Sequence, residues 1–144
     1  VSVPVFVVPE LPAADVFVLD GAEGRHAAAA QRLRPGERLD LVDGRGGRAA
    51  CTVLAAERDT LTLAVGDTVR EPAPAPPVTV VQALVKGERS ELAVAMLTEA
   101  GVDRIVPWQA ERCVVRWSGE RGAKALGRWR ATAVQAGKQA RRAW

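Results

Sequence analysis

Along the first seventy residues apolar positions alternate with polar ones. Leu39 and Leu41, then Ala49, Cys51 and Val53, then Leu61, Leu63 and Val65 recur at every second residue, the period of strands buried on one face. Asp43-Gly-Arg-Gly-Gly47 and Glu57-Arg-Asp-Thr60 separate these runs and read as turns, because Gly and Asp accept the positive φ values that hairpins need. Val3–Val8 and Val16–Leu19 add two short strands. Asp20, with Glu23 three residues on, predicts a capped helix running to about Leu33, and Pro35-Gly36 ends it. Five short strands and one helix predict a small β-barrel.

The pattern breaks at Glu71-Pro-Ala-Pro-Ala-Pro-Pro77, a stiff linker in which neither helix nor central strand can continue. Beyond it, Val78–Val85 is a continuous β-branched run suited to a strand buried on both faces. Ser90 is placed to cap a helix running to Ala100, and Gly101 to take the left-handed position after it. Asp103–Trp108 predicts a second strand and Cys113–Trp117 a candidate third. This is the opening of a parallel α/β unit, with fewer strands than a covered sheet needs. In the last segment Leu126, Trp129, Ala133, Gly137, Ala140 and Trp144 share one side of a helix. Lys124, Arg128, Gln135, Lys138, Gln139 and Arg142 fall on the other side. That polar side reads either as an ordinary solvated face or as one that meets phosphate. The expected fold class is thus α+β with two domains: a barrel over 1–70, a linker over 71–77 and an α/β domain over 78–144.

Charge sharpens the split. The 144 residues carry a net +3, which divides into −3 over residues 1–72 and +6 over residues 73–144. From Arg112 onward there are nine basic residues and one acidic residue, Glu120. Basic charge gathered at one end of a chain is the sequence footprint of a nucleic-acid partner. A content of 48% hydrophobic and 26% charged residues is that of a globular chain. The longest apolar runs fall short of a membrane span, and Val1–Val8 lacks the basic flank and cleavage site of a signal peptide. Cys51, Cys113 and the single His26 supply neither a disulfide framework nor a zinc site, so no metal and no membrane partner are expected. With one histidine, no Ser or Cys has an evident base, and Gly44, Gly46 and Gly47 sit in a hairpin rather than before a helix. Lys86-Gly-Glu-Arg89 follows the first strand of the α/β part, where ligand sites of open α/β sheets lie. The residues by themselves point to a basic two-domain RNA binder of unspecified reaction.

Several stretches taken in order resemble one family. They are His26 with Arg32-Leu-Arg-Pro-Gly-Glu37, Asp43-Gly44, Gln82-Ala-Leu-Val-Lys-Gly-Glu-Arg89, Thr98-Glu-Ala-Gly-Val-Asp-Arg-Ile-Val-Pro107, Glu111-Arg-Cys-Val-Val115 and Lys138-Gln-Ala-Arg-Arg142. This set is similar to the ribosomal RNA small subunit methyltransferase E family and covers essentially the whole chain. The resemblance implies a PUA-like β-barrel followed by a SPOUT α/β domain with a trefoil knot. It implies methyl transfer from S-adenosylmethionine to N3 of uridine 1498 of 16S rRNA, in the small ribosomal subunit, by a cytoplasmic homodimer. It assigns substrate chemistry to Arg142 with Gln139, and RNA contact to His26, Arg32, Arg34, Lys86, Arg89, Arg112 and Lys138. The family's Gly-Pro-Glu-Gly-Gly donor loop falls later than these 144 residues, so no donor-binding residue is assigned within the chain, and the 144 residues alone are expected to be inactive. Val5 and Ala29 stand where the family commonly has Arg, and Met96 where Lys is common. The alternative is a non-catalytic RNA-binding or ribosome-assembly module.

Overall fold

A computed structural model describes residues 3–144. They form two compact units, one running to Pro72 and taking in Arg141–Trp144, the other Ala73–Ala140.

In the first unit five strands, β1 (Val5–Val7), β2 (Val16–Leu19), β3 (Arg38–Val42), β4 (Gly47–Ala56) and β5 (Leu61–Arg70), form one sheet in the order β1-β3-β4-β5-β2. Only β1 and β3 run parallel; the other neighbours are antiparallel. Two register shifts in β4, at Ala49/Cys51 and Val53/Ala55, bend the sheet. The alternation has the expected sense: Leu39, Leu41, Ala49, Cys51, Val53, Leu61 and Leu63 all enter one core with Phe6, Val8 and Leu19. Fully burying each of these Leu side chains contributes roughly 1.5–3 kcal/mol.

Helix α1 (Gly21–Arg25) runs into one wide π-helical turn, His26–Ala30, closed by the Gln31 N–H donating to the His26 carbonyl at 2.9 Å. Ala27 enters the barrel core there, with Ala28 and Leu33 packed against it. The helix is shorter than expected and its cap differs. Asp20 makes no side-chain cap bond, and Glu23 instead accepts the Val7 N–H at 3.2 Å, tying α1 to edge strand β1. Gly24 is dictated by closeness: a Cβ there would lie 2.5 Å from the Leu19 carbonyl oxygen and 2.7 Å from that of Asp59.

The second unit contains β6 (Thr79–Ala83), α2 (Arg89–Glu99), β7 (Arg104–Trp108) and α3 (Gly119–Gln139), with β6 and β7 a parallel pair. Its core joins Leu84, Val94 and Trp129, with Ile105, Cys113, Val115 and Trp117 packed against it. Four expectations are corrected here. First, β6 is not buried on both faces: Val81 is 58% exposed, and Val106 and Trp108 share its side of the pair, because the core covers only the other side. Second, Cys113–Trp117 is no strand. Its alternation comes from a loop that sends Cys113, Val115 and Trp117 to the core while Gln109 accepts the Trp117 N–H at 2.7 Å. Third, Ser90 lies inside the first turn of α2 and accepts the buried Trp129 indole N–H at 2.7 Å, while Glu88 holds the cap position. Trp129 also meets Trp117 edge-on at 5.1 Å. Fourth, α3 stops at Gln139, and Arg141 (φ 55) turns the chain so that Trp144 leaves the helical stripe.

Among the described residues no helix is long and apolar enough to cross a membrane.

Cys51 is buried on β4, and burial first, then the Asp40 charge, pushes its thiol up from 9.0 to about 11. Cys113 is only half-buried. A thiol reagent at pH 8 is therefore expected to modify Cys113 in the folded protein and to reach Cys51 only after unfolding. Equal native rates at both would contradict this packing.

Candidate nucleic-acid interface

The arginines of the first unit fall into two groups. Arg45, Arg48 and Arg70 are committed to the protein itself. The Asp43 side chain closes its hairpin by accepting the N–H groups of Arg45 at 2.7 Å and Gly47 at 2.8 Å. Arg45 donates to the Pro9 carbonyl. Arg70 donates to the Arg45 carbonyl at 2.7 Å and lies 3.7 Å from Asp43. Arg48 is forked between Glu71 at 2.8 Å, Asp40 at 3.1 Å and the Arg141 carbonyl at 2.8 Å. Its burial works against the charged form, but the hydrogen bonds and charges of Glu71 and Asp40 outweigh it and hold the guanidinium ionised. Burial likewise works to raise the Asp43 carboxyl. The two N–H bonds and the Arg70 and Arg45 charges overturn that, so it sits below its ordinary 3.8.

The second group, Arg25, Arg32, Arg34 and Arg38, is exposed, and among the described residues their guanidinium groups make no ion pair or hydrogen bond. They lie on α1, on the turn after it and at the start of β3. Arg32 takes φ 55, a left-handed conformation costly for a residue with a Cβ, and the Arg34 N–H donates to Glu37 at 2.7 Å, fixing the turn. Cations without internal partners on a rigid turn are available to phosphate oxygens. The sequence reading singled out Arg32 and Arg34 but missed Arg25 and Arg38. Arg38 precedes the first alternating strand position, and that was its only visible signal. His26 is half-buried and packs edge-on against Phe6 at 5.8 Å, so its ring is part of the barrel wall.

In the second unit the structure brings Lys86 and Arg112 to one open cleft of about 490 Å³, walled by Leu84, Val85, Cys113 and Val115. Arg89 is the first residue of α2, where the helix dipole disfavours a cation, and it is exposed. A neighbouring cleft of about 400 Å³ is lined by Glu88, Ser90, Glu91, Trp117, Arg128 and Trp129, and Arg128 pairs with Glu91 at 3.0 Å. Lys138 is a correction: it is 6% exposed on α3, not a cation presented to solvent. Gln139 closes α3 and is exposed, while Arg142 is half-buried in the segment that packs with the barrel.

Exposed arginines on the first unit, and a basic cleft at the end of the first strand of the parallel βαβ unit, make up the candidate nucleic-acid interface. A family model described as RNA methyltransferase domain matches residues 71–144, and one described as RNA methyltransferase PUA domain matches residues 19–66. The chain belongs to the RNA methyltransferase family. It is 53% identical over 128 residues to the ribosomal RNA small subunit methyltransferase E of Mycobacterium bovis, covering 89% of this chain and 49% of that one. The Bacillus subtilis protein is 26% identical, with 92% and 52% covered. The chain thus spans about half the length of these curated relatives. Among solved structures, the Neisseria gonorrhoeae methyltransferase E bound to S-adenosyl methionine matches with a TM-score of 0.86 at 30% identity, over 99% of this chain and 59% of that one. A Legionella pneumophila putative methyltransferase with the same cofactor matches with a TM-score of 0.86 at 25% identity, over 99% and 60%.

The larger cleft presents Lys86 and Arg112, and the smaller presents Glu88 beside a Glu91 that Arg128 holds, so neither is assigned as the site of that donor.

Two outcomes test this interface. Asp43 has a lowered folded pKa, so its contribution to stability is full above 3.8 and is lost as pH falls through the lower folded value. Asp43→Asn should therefore lower the Tm near pH 7, and the gap from wild type should narrow as pH falls below 3.8. A constant gap would contradict it. Arg32→Gly should relieve the left-handed strain, stabilising the barrel by roughly 0.5–1 kcal/mol, while weakening RNA binding. Tighter or unchanged binding would remove Arg32 from the interface.

Proposed function

We propose that this chain is the RNA-engaging part of an S-adenosylmethionine-dependent methyltransferase that modifies N3 of uridine 1498 in 16S rRNA. The observation that carries the reading is the likeness of nearly the whole chain to methyltransferases solved with that donor. The small-subunit substrate follows from the names of the sequence relatives. Action in the cytoplasm, as a homodimer, is part of the same proposal.

The chemistry assigns work to the residues. N3 of uracil carries a proton, and its lone pair is tied into the imide, so the reacting form is the anion. A guanidinium held beside it stabilises the anion formed when the N3 proton passes to water. In this reading Arg142 supplies that cation and Gln139 orients the base by hydrogen bonding. The uridine has to leave its stack to be reached, which costs a few kcal/mol. Phosphate contacts offset this cost: Arg25, Arg32, Arg34 and Arg38 hold the RNA backbone at the barrel, and Lys86, Arg89 and Arg112 hold it at the α/β unit. His26 supports the barrel wall through its packing on Phe6, and the buried Lys138 is left out of the RNA contact.

Loss of the gene from the source cell should abolish 3-methyluridine at position 1498 of its 16S rRNA, read by nucleoside mass spectrometry. The wild-type gene should restore it, and the Arg142→Ala version should restore little. Persistence of the modified nucleoside after gene loss would overturn the proposal.

A further inference from the structure

The segment after α3 is held along its length by the barrel. The Arg48 guanidinium donates to the Arg141 carbonyl at 2.8 Å, and the Gly46 N–H donates to the Ala143 carbonyl at 2.7 Å. Ala143 is 1% exposed, packed with Val5 and Val42. The Trp144 indole N–H donates to the Glu71 carbonyl at 3.2 Å, and its ring lies over Gly46. Gly46 has φ 88, and a Cβ there would stand 2.6 Å from two Trp144 ring carbons, so both backbone and ring require glycine. The Glu71 N–H in turn donates to the Gly46 carbonyl at 2.7 Å.

Capping a helix needs partners only for its last carbonyls. Here the contacts reach Arg141, Ala143 and Trp144, and they bracket one residue, Arg142. Ordering a residue costs about 1–2 kcal/mol of backbone entropy, and these contacts meet that cost before any ligand arrives. We propose that Gly46, Arg48 and Trp144 are positioning residues for Arg142, so that the Asp43–Gly47 hairpin of the barrel sets where this guanidinium meets RNA. The inference rests on the reading that Arg142 touches the substrate. Fixed carbonyls on both sides hold the Arg142 backbone in place, which is preorganisation of a binding group.

A double-mutant cycle separates the two claims, with affinity measured for isolated small ribosomal subunits whose 16S rRNA is unmodified. Arg142→Gln should weaken binding about tenfold, as expected for loss of a charged hydrogen bond. Trp144→Ala, which frees the segment without straining the barrel, should weaken binding several-fold in wild type and add little in the Arg142→Gln background. Trp144→Phe should recover most of the loss, and Gly46→Ala should reproduce it from the barrel side. A merely stabilising role would lower the Tm and give losses that multiply across both backgrounds, which overturns the positioning claim. A Trp144→Ala protein that binds like wild type overturns it as well. If Arg142→Gln binds like wild type, the substrate role of Arg142 fails, and the inference fails with it.

Discussion

The first unit depends on where one guanidinium is satisfied. Arg48 sits on β4 with its side chain only 19% exposed, and a charge so far withdrawn from water must find fixed partners. It finds three: Asp40 on the neighbouring strand, Glu71 at the end of the barrel sequence, and the carbonyl of Arg141. The same fork therefore joins β3 to β4, anchors the exit toward the linker and seats the returning end of the chain. Around it the Asp43 carboxyl and Arg70 close the hairpin, and Ala143 completes a small apolar cluster with Val5 and Val42.

That arrangement sorts the arginines by what they can still do. Those around the hairpin have spent their donors on carbonyls and carboxylates of the protein. Those around α1 and the turn after it have not, and the barrel needs none of them for its own hydrogen bonding. A rigid sheet carrying unspent cations on one turn is a physical basis for backbone recognition, and it is independent of the chain's overall +3. The second unit repeats the theme on a smaller scale with Lys86 and Arg112 at one cleft.

The sequence made the local periods legible. Leu39, Leu41, Ala49, Cys51, Val53, Leu61 and Leu63 enter the core in the alternation their spacing implies, and Gly101 takes its left-handed conformation after α2. What stayed hidden depends on partners distant along the chain. The Ser90–Trp129 bond spans 39 positions and the Arg48–Arg141 bond 93, and no local pattern encodes either. Ser90 therefore read as a cap, Cys113–Trp117 as a strand and Lys138 as a cation open to RNA. Each has the composition expected of that role, and the packing that reassigned it is not something periodicity reveals. The candidate site was legible in part. Arg32 and Arg34 stood out in sequence, while the distinction between spent and unspent arginines required the hydrogen bonds.

The most direct test is arginine-specific dicarbonyl modification read residue by residue by mass spectrometry, with and without small ribosomal subunits. The account predicts fast modification of Arg25, Arg32, Arg34 and Arg38 in the free protein, protection of these four on binding, and slow modification of Arg48 in both states. Unchanged modification of the four on binding, or Arg48 reacting as fast as Arg32, would contradict it.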